Sequence, residues 1–202
     1  MSEVTKFHST TQFSSKFTGF GNFSKERSAC PFFSLISAYN FLDTGVVSNE
    51  QYESNLIQGI SAYISLRDRI PQFLTFEEIL QFAIGHGSSF NTIYASSAEL
   101  VKEEILGYRE FFPEELNGKR YCTIFLKDGN FFVVLVDENS KYYLRDCHRD
   151  VQYNFEDLNG LRAHLNQEYR MDRPTVVDGY PIPEFNNIEF LVVSEKFTLL
   201  LE

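Results

Sequence analysis

Several features that would assign this sequence to a familiar class of protein are missing from it. It contains no uncharged apolar run of about 18 residues, so we expect no membrane-spanning helix. Its first residues, MSEVTKFHSTTQF, lack the basic and apolar regions of a signal peptide. The three cysteines are an odd number without the spacing of a disulfide framework. These absences predict a protein made in, or delivered into, a reducing cytosol with its thiols free.

Basic residues are also scarce, since 18 Lys and Arg stand against 28 Asp and Glu and give a net charge of -10. Such a surface repels nucleic acid and anionic membranes and favours a basic partner. The common zinc, nucleotide and serine-hydrolase motifs (Cys-x-x-Cys, Gly-x-x-x-x-Gly-Lys, His-Glu-x-x-His and Gly-x-Ser-x-Gly) are absent. We therefore predict no nucleic-acid or membrane partner, no cofactor and no bound metal, and an active site built from scattered residues.

Aromatic residues are abundant, with 21 Phe and 11 Tyr in a chain that is 43% hydrophobic. A chain of 202 residues with this content can bury a substantial core. We predict a single domain over residues 1–202 in which residues 1–11 are frayed. Nothing in the pattern indicates the oligomeric state.

Helix signals dominate the first hundred residues. Ser28 is a plausible N-cap for a helix over residues 29–42, with Pro31 in the first turn, where its missing N–H costs nothing. Capping boxes open three further predicted helices: Ser48 with Gln51, Thr75 with Glu78 (TFEEILQFAIG), and Ser96 with Glu99.

Strand signals dominate the second half. RYCTIFLKD, FFVVLVD and KYYLRDC are apolar runs joined by short turns, which predicts an antiparallel meander. A helix over about residues 155–170 and two closing strands, IEFLVVSE and FTLLLE, follow. The order predicts an α+β fold, with a helical N-terminal half packed on a mainly antiparallel sheet.

The end of the third predicted strand carries Asp146, Cys147 and His148. Alternate residues of a strand share a face, so Asp146 and His148 should project together while Cys147 points away. A carboxylate beside an imidazole can hold the ring in one tautomer and orientation. Cys30, in the first turn of the first helix, is the candidate partner, because a helix N-terminus and a nearby imidazolium both stabilise a thiolate.

This interpretation makes Cys30 the nucleophile, His148 the general base and Asp146 the residue that orients the ring. Taken singly, each has an ordinary alternative: Cys30 a core thiol, His148 a surface histidine and Asp146 a turn carboxylate.

The remaining cysteines and histidines have other interpretations. We interpret Cys122 and Cys147 as core thiols. A zinc site from Cys122, Cys147 and His86 would match no structural ligand spacing. His86 is the rival base, whereas His8 lies in the N-terminal arm and His164 on a helix.

Two stretches, ACPFFSLISAYNFL and FFVVLVDENSKYYLRDCH, resemble the papain-like cysteine proteases that act on ubiquitin and ubiquitin-like modifiers. That subgroup carries Asp-x-His, usually Asp-Pro-His, on one strand. The layout is most similar to the deubiquitinase domain of the herpesvirus large tegument protein, over about residues 12–170. CPFFSLISA is also similar to the Cys-Pro helix of the Mindy deubiquitinases. The main resemblance implies a papain-like fold, a Cys30–His148–Asp146 triad, and ubiquitin or a ubiquitin-like protein as partner.

The sequence departs from the family in a few positions. Asn130 stands where most papain-like proteases have their histidine, and we predict its side chain near the same cleft. Cys147 replaces the usual Pro. The family places an oxyanion donor upstream of the cysteine, and both Gln12 and Asn22 qualify, with Gln12 preferred.

The main hypothesis is a cysteine isopeptidase, or deubiquitinase, that cleaves after the C-terminus of ubiquitin or a ubiquitin-like modifier. A papain-like deamidase or acyltransferase effector is an alternative, because its first half-reaction uses the same residues. A catalytically inactive binding module of the same fold is a third hypothesis, motivated by Asn130.

Overall fold

A computed structural model of the chain describes residues 4–8, 11–14, 28–70, 74–85, 88–95, 110–174, 176–182 and 186–200. The helices are α1 (Cys30–Thr44), α2 (Asn49–Leu66), α3 (Phe76–Ile79) and α4 (Leu158–Glu168), with 3-10 turns at Leu80–Phe82 and Glu114–Leu116. None of these helices combines the length and the apolar character needed to cross a bilayer.

The strands form one large antiparallel sheet and two small ones. They are β1 (Val4–His8), β2 (Ala83–Gly85), β3 (Ser88–Ala95), β4 (Tyr121–Lys127), β5 (Asn130–Val136), β6 (Tyr142–Arg145), β7 (Val151–Phe155), β8 (Val176–Val177), β9 (Tyr180–Pro181), β10 (Asn186–Val193) and β11 (Phe197–Leu199). The large sheet has the order β1-β7-β6-β5-β4-β10-β3, while β2 pairs with β11 and β8 with β9. The predicted α+β fold with a mainly antiparallel sheet is confirmed.

The meander β4–β5–β6 follows the prediction closely. Lys127 pairs with Asn130 across a two-residue turn in which Asp128 and Gly129 have φ of 50° and 77°. Positive φ at both central residues matches the right-handed twist of the strands, and Asp-Gly adopts it readily. The turn therefore sets the register of the hairpin from local sequence.

The central strand β5 is buried on both faces. Three of its side chains face a cluster with α1 and α2, and the three between them face a second cluster with α4: Phe131, Val133 and Leu135, then Phe132, Val134 and Val136. Helix α2 lies so close to α1 that a Cβ added at Gly59 would be 2.9 Å from the backbone nitrogen of Phe33. Each buried apolar side chain contributes roughly 1.5–3 kcal/mol. This packing fixes α1 against the middle of the sheet.

Helix boundaries were predicted well only where the cap is local. Ser48 caps α2 by accepting from the backbone N–H of Gln51 at 3.1 Å, as predicted. The Thr75–Glu78 capping box is also present, but α3 ends at Ile79 and the chain turns into β2, so the longer helix was wrong.

Four further corrections concern where elements begin and which strands were not predicted. Ala29, not Ser28, is the N-cap of α1, and it has no side-chain cap. Residues 4–8, expected to be frayed, form β1 and pair with β7. Neither β3 nor β7 was predicted, and the helix expected from about residue 155 begins only at Leu158. The helix predicted after Ser96 lies outside the described residues.

Candidate active site

Cys30 is the first residue of α1 and is almost fully buried, with 3% of its surface exposed. The start of α1 is bound to a distant segment, because the backbone N–H of Ala29 donates to Oε1 of Gln12 at 3.0 Å. The backbone N–H of Gln12 in turn donates to the carbonyl oxygen of Cys147 at 2.9 Å. Gln12 therefore bridges the helix start that carries Cys30 and the turn that carries His148.

Asp146 and His148 face the same side for a reason other than the predicted one. Strand β6 ends at Arg145, and the next residues form a turn closed by a hydrogen bond from Arg149 N–H to the Asp146 carbonyl at 3.2 Å. Oδ1 of Asp146 accepts from the backbone N–H of His148 at 2.9 Å and lies 2.7 Å from its Nδ1. The turn, rather than strand alternation, brings carboxylate and ring together.

The second carboxylate oxygen of Asp146 is held from the opposite side. The Tyr169 hydroxyl donates to Oδ2 at 3.0 Å, and Nε of Arg149 lies 3.5 Å from the same atom. The Arg149 guanidinium also lies over the Tyr169 ring and binds Glu168 at 2.9 Å. Sequence reasoning missed both supports: Tyr169 lies 23 positions from Asp146 and has no local signature, and Arg149, only three positions away, was not considered.

The electrostatics of the pair favour a charged ring. Burial lowers the pKa of His148, but the hydrogen bonds to Asp146 and Cys30 and their charges outweigh burial and raise this pKa to about 10. For Asp146 burial acts in the opposite direction and raises the pKa. The hydrogen bonds and charge of His148 outweigh burial, so the pKa of Asp146 is lowered. At neutral pH, Nδ1–H of an imidazolium therefore donates to a carboxylate.

The Cys30 thiol contributes to the raised pKa of His148, so the two side chains are neighbours. Since Asp146 engages Nδ1, Nε2 is the ring atom left for the thiol. The structure thus gathers a thiol at a helix N-terminus, an imidazole and a carboxylate that orients it. Such a set can move a proton from sulfur to nitrogen and later to a leaving group.

Cys147 was predicted to point away from the site, and this prediction is wrong. Its sulfur, a carboxylate oxygen of Asp146 and a ring nitrogen of His148 all lie within 4.8 Å of one another. Burial raises the pKa of the Cys147 thiol, which keeps it protonated and weakly reactive. These three residues offer metal-ligand atoms, but the carboxylate and the ring are already bonded to each other.

Of the other residues considered for the site, the structure describes Asn130 and Cys122. Asn130 begins β5, donates to the Asp128 carbonyl at 3.2 Å, and lines a cavity of about 250 Å³ with Asp146 and His148. Cys122 is buried in the core, where its sulfur lies 3.9 Å from the Ala38 carbonyl oxygen. Two others, Asn22 and the rival base His86, lie outside the described residues.

Exposed apolar side chains border this region. The Phe13 ring is 49% exposed and its centroid lies 6.0 Å from that of His148. The β8–β9 hairpin exposes 77% of Tyr180, and its base is bonded to the cavity rim through Val176 N–H and the Asp128 carboxylate at 3.2 Å.

Comparisons with known proteins bear on the fold of this chain. No family model matches the sequence, and no curated protein matches it. The fold is similar to that in the crystal structure of the ubiquitin-specific protease encoded by murine cytomegalovirus tegument protein M48, determined in complex with a ubiquitin-based suicide substrate. The TM-score is 0.58 at 15% identity, covering 96% of this chain and 87% of that chain. At this identity the likeness concerns the fold.

Proposed function

We propose that this protein is a cysteine isopeptidase that cleaves after the C-terminus of ubiquitin or a ubiquitin-like modifier. The observation that carries the proposal is the 2.7 Å contact between Asp146 Oδ1 and His148 Nδ1, next to the Cys30 thiol. It occurs in a fold similar to that of a viral ubiquitin-specific protease, which was crystallised with a ubiquitin-based substrate.

The chemistry follows from the three side chains. The Cys30 sulfur attacks the carbonyl carbon of the scissile bond as a thiolate, with its proton on His148. His148 then gives that proton to the departing amine, which leaves a thioester on Cys30. A water attacks the thioester while His148 accepts its proton, and the thiol and a free carboxylate are regenerated. Asp146 holds the ring in the orientation that all of these transfers need.

Gln12 is our preferred donor to the developing oxyanion. Its amide oxygen accepts from Ala29 N–H, which fixes the plane of the amide beside the helix start. The amide nitrogen is then the group of Gln12 that can donate to negative charge on the substrate oxygen. Removal of such a donor typically costs about 100 to 1000-fold in rate.

Asn130 does not argue for an inactive binding module. It lines the cavity behind the ring, but Asp146 and His148 already provide an oriented base within one turn. We propose His148 as the base in either case, and measured turnover, rather than the geometry, distinguishes the isopeptidase from the inactive module.

The partner we propose is a modifier with a basic contact face, since the chain carries a net charge of -10. The exposed side chain of Phe13, whose ring lies near that of His148, offers an apolar contact beside the site. We propose that the protein acts in a reducing cytosol, where its three free cysteines remain thiols.

The test is a panel of ubiquitin and ubiquitin-like proteins that each carry a C-terminal electrophile. We expect one of them to form a covalent adduct with wild-type protein, located on Cys30 by peptide mass spectrometry, and no adduct with Cys30→Ser. Turnover is then measured with the same modifier linked through its C-terminus to a fluorogenic amine. A mass gain of about 1 Da on an intact modifier, without release of the amine, would indicate deamidation instead.

A further inference from the structure

Among the described residues, three arginines lie over aromatic rings, and two of them also bind a carboxylate. The pairs are Arg120 over Phe41 at 5.7 Å, Arg149 over Tyr169 at 4.7 Å and Arg145 over Tyr52 at 5.8 Å. Arg120 binds Glu138 at 2.8 Å, and Arg149 binds Glu168 at 2.9 Å. Within the described parts of the chain, no carboxylate forms an ion pair with Arg145.

Arg145 is nevertheless the most buried of the three, with 2% of its surface exposed. Its Nη2 donates to the carbonyl oxygen of Ser48 at 3.3 Å, whereas Nη1 is buried and finds no hydrogen-bond partner among the described residues. Burial lowers the pKa of Arg145 to about 10, so the guanidinium is still charged at neutral pH. A buried charge that lacks a counter-ion is costly.

Arg145 lines a cavity of about 130 Å³ at the N-terminus of α2, together with Ser48, Asn49 and Tyr52. A water occupies roughly 30 Å³ of liquid volume, so the cavity has room for about four waters or one small polyatomic ion. The N-terminus of an 18-residue helix carries partial positive charge and unpaired N–H groups. The N-terminus of α2 and the Arg145 guanidinium therefore both present positive charge to this cavity.

We propose that this cavity is a binding site for a small oxyanion, such as phosphate or a free carboxylate, held by Arg145 at the N-terminus of α2. A planar guanidinium matches the oxygen pair of such an anion and would gain the partner that Glu138 and Glu168 give to the other two arginines. Glu50 also borders the cavity, but it is exposed, so its repulsion is screened by salt more than the attraction of the buried cation.

The cavity adjoins the candidate active site through two residues. Arg145 directly precedes Asp146, and Gln152, which lines the cavity, donates from Nε2 to the Asp146 carbonyl at 3.5 Å. The proposal does not depend on the proposed function, since binding is measured without any substrate.

The experiment is thermal unfolding of the full chain in increasing inorganic phosphate, with sodium chloride adjusted to constant ionic strength. We expect a saturable rise in Tm for wild type, of about 4 °C or more at 100-fold excess over Kd. Arg145→Gln should lose this rise, and the matched control Arg120→Gln should keep it. Glu50→Gln should lower the half-saturating phosphate concentration several-fold. An equal phosphate response in wild type and Arg145→Gln would overturn the proposal.

A second measurement does not depend on whether Arg145→Gln folds. The Nε–H resonances of arginine are followed by NMR in wild-type protein during the same phosphate titration, with acetate as a second arm. We expect the Arg145 resonance to shift saturably with phosphate while that of Arg120 stays constant. If acetate gives the same shift, the ligand class is carboxylate as well as phosphate. A constant Arg145 resonance in both arms would refute the site.

Discussion

The N-termini of α1 and α2 begin in opposite ways. Helix α2 is capped locally, by Ser48 accepting from Gln51 N–H three residues on. Helix α1 has no side-chain cap of its own, and the N–H of its first flanking residue, Ala29, donates to Gln12, 17 residues earlier. The Ser48 cap is complete within the first turn of its own helix. A cap brought from a distant segment also positions that segment beside Cys30, so the start of α1 becomes a site.

The largest effect should come from removing the groups that react at the start of α1. We expect Cys30→Ala to abolish probe labelling, and His148→Ala to reduce turnover by about 10,000-fold or more, because the base and the proton donor are both lost. Circular dichroism should be unchanged for Cys30→Ala, since one sulfur contributes little to the core. Full turnover by His148→Ala would refute the assignment, and loss in His86→Ala alone would move the base there.

Asp146→Asn should have the next largest effect, a loss of turnover of about 100 to 10,000-fold through misorientation of the ring. It should also lower the pKa of His148 from about 10, because the hydrogen bond and charge of Asp146 help to raise it. Ring-proton NMR between pH 5 and 11 measures this directly. An unchanged His148 pKa in Asp146→Asn would contradict the geometry at Nδ1.

The raised pKa of His148 also predicts how the free energy of unfolding depends on pH. The folded-state pKa of His148 lies above the ordinary value of about 6.5, so the stabilisation is complete below that pH and is lost as pH rises towards about 10. In Asp146→Asn, the stabilisation contributed by charged His148 should be lost over a narrower pH range, which ends at a lower pH than in wild type. Urea unfolding at several pH values gives the two profiles.

Gln12→Ala tests the distant cap itself. Turnover should fall by about 100 to 1000-fold if the Gln12 amide stabilises the oxyanion. Labelling of Cys30 by iodoacetamide, whose transition state develops no oxyanion, should fall much less. Parallel losses in both assays would mean that Gln12 acts only by holding the helix start, and Gln12→Asn, with its shorter reach, serves as the matched variant.

The contrast between the helix starts also explains how far the sequence could be interpreted. The Ser48 cap, the Asp128–Gly129 turn and the meander depend on residues close in sequence, and their patterns predicted them. The α+β fold follows from these local elements. Strands β3 and β7 were not predicted: β3 pairs with the distant β10, and β7 pairs with the distant β1 as well as with its sequence neighbour β6.

The candidate site divides in the same way. Asp146 and His148 are two residues apart, so their pairing could be predicted, although a turn and not a strand produces it. The support from Tyr169 comes from 23 residues away and has no local signature. The position of the Cys147 sulfur was predicted wrongly for a different reason, because the strand alternation used for the prediction stops at Arg145.

The local cap of α4 provides a control for the Gln12 variants, because its removal should affect stability and not the site. Asp157 caps α4 by accepting from the backbone N–H of Gly160 at 2.8 Å and is exposed. Asp157→Ala should reduce the free energy of unfolding by about 1 kcal/mol and leave labelling of Cys30 unchanged. A loss of labelling would show that a locally capped helix also controls the site, and the difference between helix starts would then be smaller than we infer.

The smallest effect should come from Cys147→Pro, although the sulfur lies close to the site. Cys147 is the second residue of the turn closed by Arg149 N–H and the Asp146 carbonyl, a position that proline favours. Its carbonyl, which accepts from Gln12, is retained in proline. Because burial raises the pKa of its thiol, Cys147 supplies no nucleophile that proline would remove. We expect turnover within about threefold of wild type, and a larger loss with the kinetics of Cys30 labelling intact would show that the sulfur itself supports His148.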